Sequence, residues 1–175
     1  MKDDFGPVPA IAGTAEYGLK QTLNPHKFMT QTFTQEEFKL DVPEKWNVYP
    51  SAEPGTLLLQ SKLDDASLVI TTQLMQIAID KAEGIAQANI RSRVEAHKTH
   101  YPNLQLIDSS IAVHSSGAAL EMFYSVVSPE KAVLMYVGFV TPKKILSALL
   151  IAPADPVTAA DLFKQTLSGF QPRLP

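Results

Sequence analysis

Thr32–Ser51 reads TFTQEEFKLDVPEKWNVYPS, and the reading of this stretch decides the fold. Phe38, Leu40 and Val42 alternate with Lys39 and Asp41, which is the two-residue period of a half-buried strand. Pro43 ends that strand, because proline has no N–H to give to a ladder. Upstream, KFMTQTF is a second strand candidate, with Thr34, Gln35 and Glu36 as the turn between the two. Trp46 is the only tryptophan of the chain. A lone tryptophan just after a proline reads as a packing anchor rather than a ligand platform.

Working outward, TLLLQSK and ASLVITTQLMQIA are strand candidates joined by the polar turn LDDA. A helix is expected over Lys81–Tyr101, where Ala82, Ile85, Ala86, Ile90, Val94, His97 and Tyr101 recur at three- and four-residue steps. Asp80 is its expected N-cap, Gly84 weakens the first turn and Pro102 marks the stop. Four more strands follow: NLQLIDSSIAVH, AALEMFYSVV, KAVLMYVGFV and KKILSALLIA, separated by SSG, SPE and TP. The last two are apolar at almost every position, so both of their faces are expected to be covered. A closing helix over Pro156–Ser168 has Asp155 as N-cap, an apolar stripe of Ala159, Leu162, Phe163 and Leu167, and Gly169 as the expected C-terminal cap.

The order is therefore strands, helix, four strands, helix. Short turns favour antiparallel pairing, and the expected fold is α+β: one antiparallel sheet of about six or seven strands with a helix packed on each face. Residues 1–27 read as a flexible tether, rich in Gly, Pro and small side chains, and residues 28–175 as a single domain.

The strand FKLDVPEKW, hairpin strands, a long helix, four strands and a closing amphipathic helix resemble the PsbP-like superfamily. DcrB-type bacterial lipoproteins, the Ran-binding Mog proteins and chaperones of secreted effectors use the same fold. Phe38, Leu40, Pro43 and Trp46 supply the loose apolar-x-apolar-x-x-Pro-x-x-Trp pattern, and LFKQTLSGFQP is similar to the usual ending. The resemblance covers residues 32–172 and implies that Pro43 and Trp46 help close the first corner of the sheet. It also implies a binding or assembly factor without catalysis, although a fold does not by itself dictate a function.

Composition narrows the chemistry. The chain has 175 residues, 45% of them hydrophobic and 19% charged, enough to bury a substantial core. The absence of cysteine excludes disulfides, thiol catalysis and Cys-based metal sites. With 15 basic residues scattered among 18 acidic ones and a net charge of −3, no nucleic-acid partner is expected. No apolar run reaches the length of a membrane-spanning helix.

His97 and His100 lie three apart, but the adjoining helical positions offer Arg93, Val94 and Tyr101 rather than a third ligand, so no metal is expected. His114, Ser115 and Ser116 sit in a hairpin turn, where adjacent residues are expected to diverge rather than form a nucleophile–base pair. Asp64–Asp65 and Glu36–Glu37 are turn acids, and no glycine-rich phosphate loop exists. Glu121 shares a strand face with Ala119, Phe123 and Val127 and is a candidate partly buried acid. Neither a catalytic residue nor a cofactor is expected. The weak binding candidates are His97, Tyr101 and Glu121.

The leading expectation is a non-catalytic binding or assembly domain whose partner is another protein. It is exported to the periplasm or cell envelope, and meets the membrane only through a removed N-terminal anchor. If Met1 is the native start, the alternative is a cytoplasmic chaperone or adaptor that shields an apolar partner. A third reading, from a different class, is a small-molecule binder with its pocket between sheet and helix.

Overall fold

The computed structural model describes residues 29–129 and 131–175; the expected tether, 1–27, lies outside the described residues. Strand β1 (Thr30–Thr34) pairs antiparallel with β2 (Phe38–Pro43), with Phe33 opposite Leu40. The alternation read from the sequence is realised: Phe38, Leu40 and Val42 are fully buried, while Lys39 and Asp41 form an ion pair at 2.9 Å on the outer face. Trp46, 1% exposed, joins the same apolar cluster, and Gln31 Nε2 donates to its carbonyl. Each such side chain contributes roughly 1.5–3 kcal/mol on leaving water.

One expectation is corrected at this point. β1 and β2 do not join the main sheet. They form a separate three-stranded sheet, in the order β1-β2-β10, completed by β10 (Phe170–Pro172) from the far end of the chain. The sequence pattern defines a strand and its buried face but not the edge it pairs with.

The large sheet has seven strands in the order β3-β4-β5-β9-β8-β7-β6, every neighbouring pair antiparallel. These are β3 (Asn47–Tyr49), β4 (Thr56–Ser61), β5 (Ala66–Leu74), β6 (Gln105–Val113), β7 (Leu120–Ser128), β8 (Ala132–Val140) and β9 (Lys144–Ala152). Along β8, alternate residues belong to two clusters. Val133, Val137 and Phe139 pack with Ala159 and Leu162, whereas Leu134, Tyr136 and Val140 pack with Ala86. That division explains why β8 and β9 are apolar at nearly every position.

Two helices lie among the described residues. In α2 (Pro156–Leu167) the Asp155 carboxylate accepts from the Val157 N–H at 3.1 Å, as an N-cap should. α1 spans Ala82–Lys98, shorter than expected at both ends. Ile79–Lys81 form a 3-10 turn, so Asp80 lies inside that turn and Lys81 takes the capping position without a side-chain bond. At the other end the N–H groups of His100 and Tyr101 both return to the His97 carbonyl, a tightened turn that closes the helix ahead of Pro102.

The second glycine expectation also changes. Ser168 caps α2, and Gly169 is needed for close approach instead. A Cβ there would sit 1.9 Å from the Asp41 carbonyl oxygen, because the Gly169 carbonyl accepts from the Asp41 N–H at 2.9 Å. Lys144, 7% exposed, reaches the same junction. Its ammonium pairs with Glu37 of the β1–β2 turn and donates to the Arg173 carbonyl at 2.6 Å, tying the two sheets together.

Gly169→Ala is expected to lower unfolding stability by about 3 kcal/mol. Gly84→Ala, where an added Cβ meets nothing within 4 Å in exposed helix, is expected to raise it by about 0.5–1 kcal/mol. Urea unfolding of both variants checks the pair; equal effects would contradict the packing described.

Candidate functional site

Asn89, Arg93 and His97 recur every four residues along α1 and form a half-buried polar stripe above β7 and β8. Beneath it the register sets Tyr124 directly opposite Tyr136, and their rings stack at 4.7 Å between centroids with 13° between planes. His97 Nε2 is 2.8 Å from the Tyr124 hydroxyl. The Tyr136 hydroxyl donates to Asn89 Oδ1 at 3.0 Å, and Arg93 Nε donates to the same oxygen at 2.9 Å. The Arg93 guanidinium lies 4.8 Å from the centre of the Tyr136 ring, in cation–π range. Gly138 makes room for this, since a Cβ there would come within 2.6 Å of the Tyr136 hydroxyl.

Burial pushes both phenols above their ordinary range, while Arg93 pulls the other way, so both tyrosines stay protonated in neutral solution. Burial also lowers His97, helped by the positive charge of Arg93 and by His100. With His97 neutral, we assign the Tyr124 hydroxyl as donor to Nε2, its one hydrogen-bond partner among the described residues. The arrangement pins α1 to the sheet through satisfied polar groups, each bond contributing about 1 kcal/mol net.

The three sequence candidates are not brought together. His97 belongs to this network, and Tyr101 packs against the same cluster at the end of α1. Glu121 faces the other way: its strand neighbours Ala119 and Val127 pack in the cluster of α2, whereas Met122 and Tyr124 pack in that of α1. Beside His97 lie the two stacked tyrosines and Arg93. His114 and Ser116 do meet, contrary to the sequence reading, because the turn folds back on itself. His114 Nδ1 is 2.8 Å from Ser116 Oγ, but that oxygen also accepts from the Ala118 N–H at 3.2 Å and staples the turn. Among the described residues no three His, Asp or Glu side chains converge to hold a metal.

An open groove of about 540 Å³ lies further out, between α1 and β6. Ile90, Val94, Leu104 and Ile111 give it an apolar lining, while Glu83, Arg91, Glu95 and Lys98 bring charge to it. β6 is an edge of the large sheet and nine residues long, with a bulge between Leu106 and Asp108. Leu106, Ile107 and Val113 are 52%, 61% and 69% exposed on it. The opposite edge, β3, has only three residues.

Sequence reasoning missed the polar network around Tyr124 and Tyr136. The signal was present in the four-residue spacing of Asn89, Arg93 and His97.

The His97 resonances are expected to titrate with a midpoint below the ordinary 6.5. Because the unfolded chain takes up this proton at higher pH than the folded one, the contribution of His97 to stability is complete above about pH 6.5 and falls as the solution is acidified through that value. His97→Gln should flatten the pH dependence of urea unfolding in this window; an unchanged slope would contradict the burial of the imidazole.

No family model matches the sequence, and no curated protein matches it. Among solved structures, cyanobacterial PsbP (CyanoP) from Synechocystis aligns with a TM-score of 0.60 at 16% identity, covering 96% of this chain and 100% of that one. A protein of unknown function from Pseudomonas aeruginosa, described as a putative regulator, aligns with a TM-score of 0.42 at 18% identity, over 83% of this chain and 99% of its own. A Bacteroides thetaiotaomicron protein aligns with a TM-score of 0.41 at 10% identity, over 82% of this chain and 48% of its own. Only the first likeness is close enough to bear on architecture. Together with the seven-stranded antiparallel sheet, its small companion and the order of the two helices, that likeness identifies the fold of this chain as PsbP-like.

Proposed function

We propose that this chain is a non-catalytic binding domain of the cell envelope that holds a partner protein along the open edge of β6 and the groove beside α1. One observation carries the reading: the two edges of the large sheet differ in length, nine residues against three. Natural sheets blunt their edges with short strands, charges, prolines or bulges. β3 is blunted by brevity. β6 carries one charge, Asp108, one bulge and no proline, and exposes three large apolar side chains. An added strand would supply main-chain hydrogen bonds along β6 and apolar side chains for the groove. The three-layer arrangement, one helix on each face of the large sheet, belongs to the same reading and is supported by the separate clusters of Ala86 and of Ala159 with Leu162. The envelope location rests on the Gly/Pro-bearing N-terminal stretch.

Ile107→Lys is expected to leave thermal unfolding unchanged, because the side chain is exposed, and to weaken partner retention at least tenfold in native mass spectrometry of gently purified protein. Full retention would remove β6 from the binding surface. The intact mass of the native N-terminus tests the envelope location, which requires a processed or lipidated end.

A second reading, a carrier of small apolar ligands, is favoured by a groove of about 450 Å³ at one end of the large sheet. Ile77, Ile79, Val113, Leu120, Val140 and Pro142 line it. Ala118→Phe, which fills that groove, should abolish the binding of an apolar fluorescent dye if the carrier reading is right.

A further inference from the structure

We infer that His97 is an acid-sensitive latch for α1: proton uptake on its ring reverses the bond that ties the helix to Tyr124, and Ala82–Lys98 opens locally while the large sheet stays folded.

Little apolar burial holds α1 to the sheet. Of its 17 residues only Ala86 is fully buried, and Ile85, Ile90 and Val94 are partly so. The 12 residues of α2 bury Ala159, Leu162 and Thr166. No side chain caps the start of α1, where α2 has Asp155, and Gly84 stands in its first turn. A helix with few buried apolar contacts belongs to the low-stability part of a fold, which opens without global unfolding. The polar stripe therefore bears much of the attachment. Its ties run from Asn89 to the Tyr136 hydroxyl, from Arg93 to the face of the Tyr136 ring, and from His97 to Tyr124.

Of these ties only the last changes between neutral and mildly acidic solution, because only imidazole titrates there. Neutral His97 accepts from the Tyr124 hydroxyl at 2.8 Å through Nε2. A protonated imidazole carries a hydrogen on both ring nitrogens and accepts nothing, so the hydroxyl has to turn and accept instead. Its own hydrogen is then left without an acceptor among the described residues, since His97 is its one partner there.

The new charge also arrives among like charges. On α1, Arg93 and His100 bear on the ring, and Tyr101 follows at the helix end. Glu95, the carboxylate two positions away, is paired with Lys98 at 2.7 Å. β7 faces His97 with Tyr124 and β8 with Tyr136, both phenols and neither a counter-ion. β6 sets its one charge, Asp108, across from Ser125, between the inward-facing Tyr124 and Val126 of β7 and so on the other face. The folded form takes up the proton less readily than the opened one. Opening is therefore favoured as the pH falls below 6.5, the ordinary imidazole value, and gains nothing more once the folded form is protonated too.

α1 is one wall of the groove beside β6, so the latch also governs that groove. A partner held there is released in acid, a consequence that rests on the reading of the groove as the binding surface.

Hydrogen–deuterium exchange of the full chain between pH 7.5 and 5.0, corrected for the intrinsic pH dependence of exchange, tests the latch. Protection of the α1 amides is expected to fall about fivefold relative to those of β8 and β9. His97→Gln, which offers Tyr124 an amide oxygen and takes up no proton, is expected to abolish the fall. An unchanged ratio overturns the inference, and so does an equal fall in the variant. The wild type decides the matter independently of how the variant folds: the fall must level off at the midpoint of the His97 imidazole signals in NMR spectra, and a fall unrelated to that midpoint overturns the latch. Partner retention is read separately. An α1 that opens in acid while the partner stays bound keeps the latch and removes the groove from the binding surface.

Discussion

Strands β8 and β9 have apolar side chains on both faces, and most of the molecule follows from that constraint. A strand with two apolar faces must lie inside the sheet and be covered twice. β8 and β9 do lie inside, between β5 and β7, and alternate residues along β8 feed two separate clusters. Ala86 of α1 belongs to one cluster, and Ala159 and Leu162 of α2 to the other. The outer strands can then be shorter or more polar, which is why β3 and β6 end up at the edges.

The two clusters are finished in different ways. The cluster that contains α2 is almost wholly apolar and is closed by the small sheet, whose Phe38, Leu40 and Val42 are shut away from water. It depends on one tight contact, Gly169 against the backbone of Asp41, where any side chain would push β2 and the C-terminal tail apart. The cluster under α1 buries two phenols instead. Those hydroxyls cannot lie in apolar surroundings unpartnered without a cost of about 1–3 kcal/mol each. Asn89 and His97 accept from them, and the helix is held in one rotational setting as a result. α1 is thereby tied to β7 and β8, and the open groove lies between it and β6.

Much of this architecture was legible in the residues. The two-residue period of Phe38, Leu40 and Val42, the doubly apolar pair of late strands and the Asp155-Pro156 helix start each named an element and its buried face. The pairing of β2 was not legible, because its pattern is satisfied equally by any sheet that covers Phe38. Gly169 was misread as a helix cap, since glycine after a helix serves close approach as readily as a left-handed turn. Lys144 stands at the start of the strand candidate KKILSALLIA, where nothing local marks it as buried, yet it is shut away and paired with Glu37, more than a hundred positions away in the chain. Nothing local to Glu121 shows that its strand neighbours pack with Ala159 and Leu162 rather than with Ala86, so the candidates His97 and Glu121 were set in one pocket although they lie beside different clusters.

The sequence by itself determined the type and order of nearly every element, because periodicity, proline and turn chemistry act over a few residues. It also excluded cysteine chemistry by composition alone. Only the tertiary structure decided which strand is an edge, which side chains of α1 meet the two tyrosines, and where a groove stays open. Those are properties of pairing between residues far apart in the chain. Pairing is set by the shape and polarity of whole faces, which no short window of sequence contains.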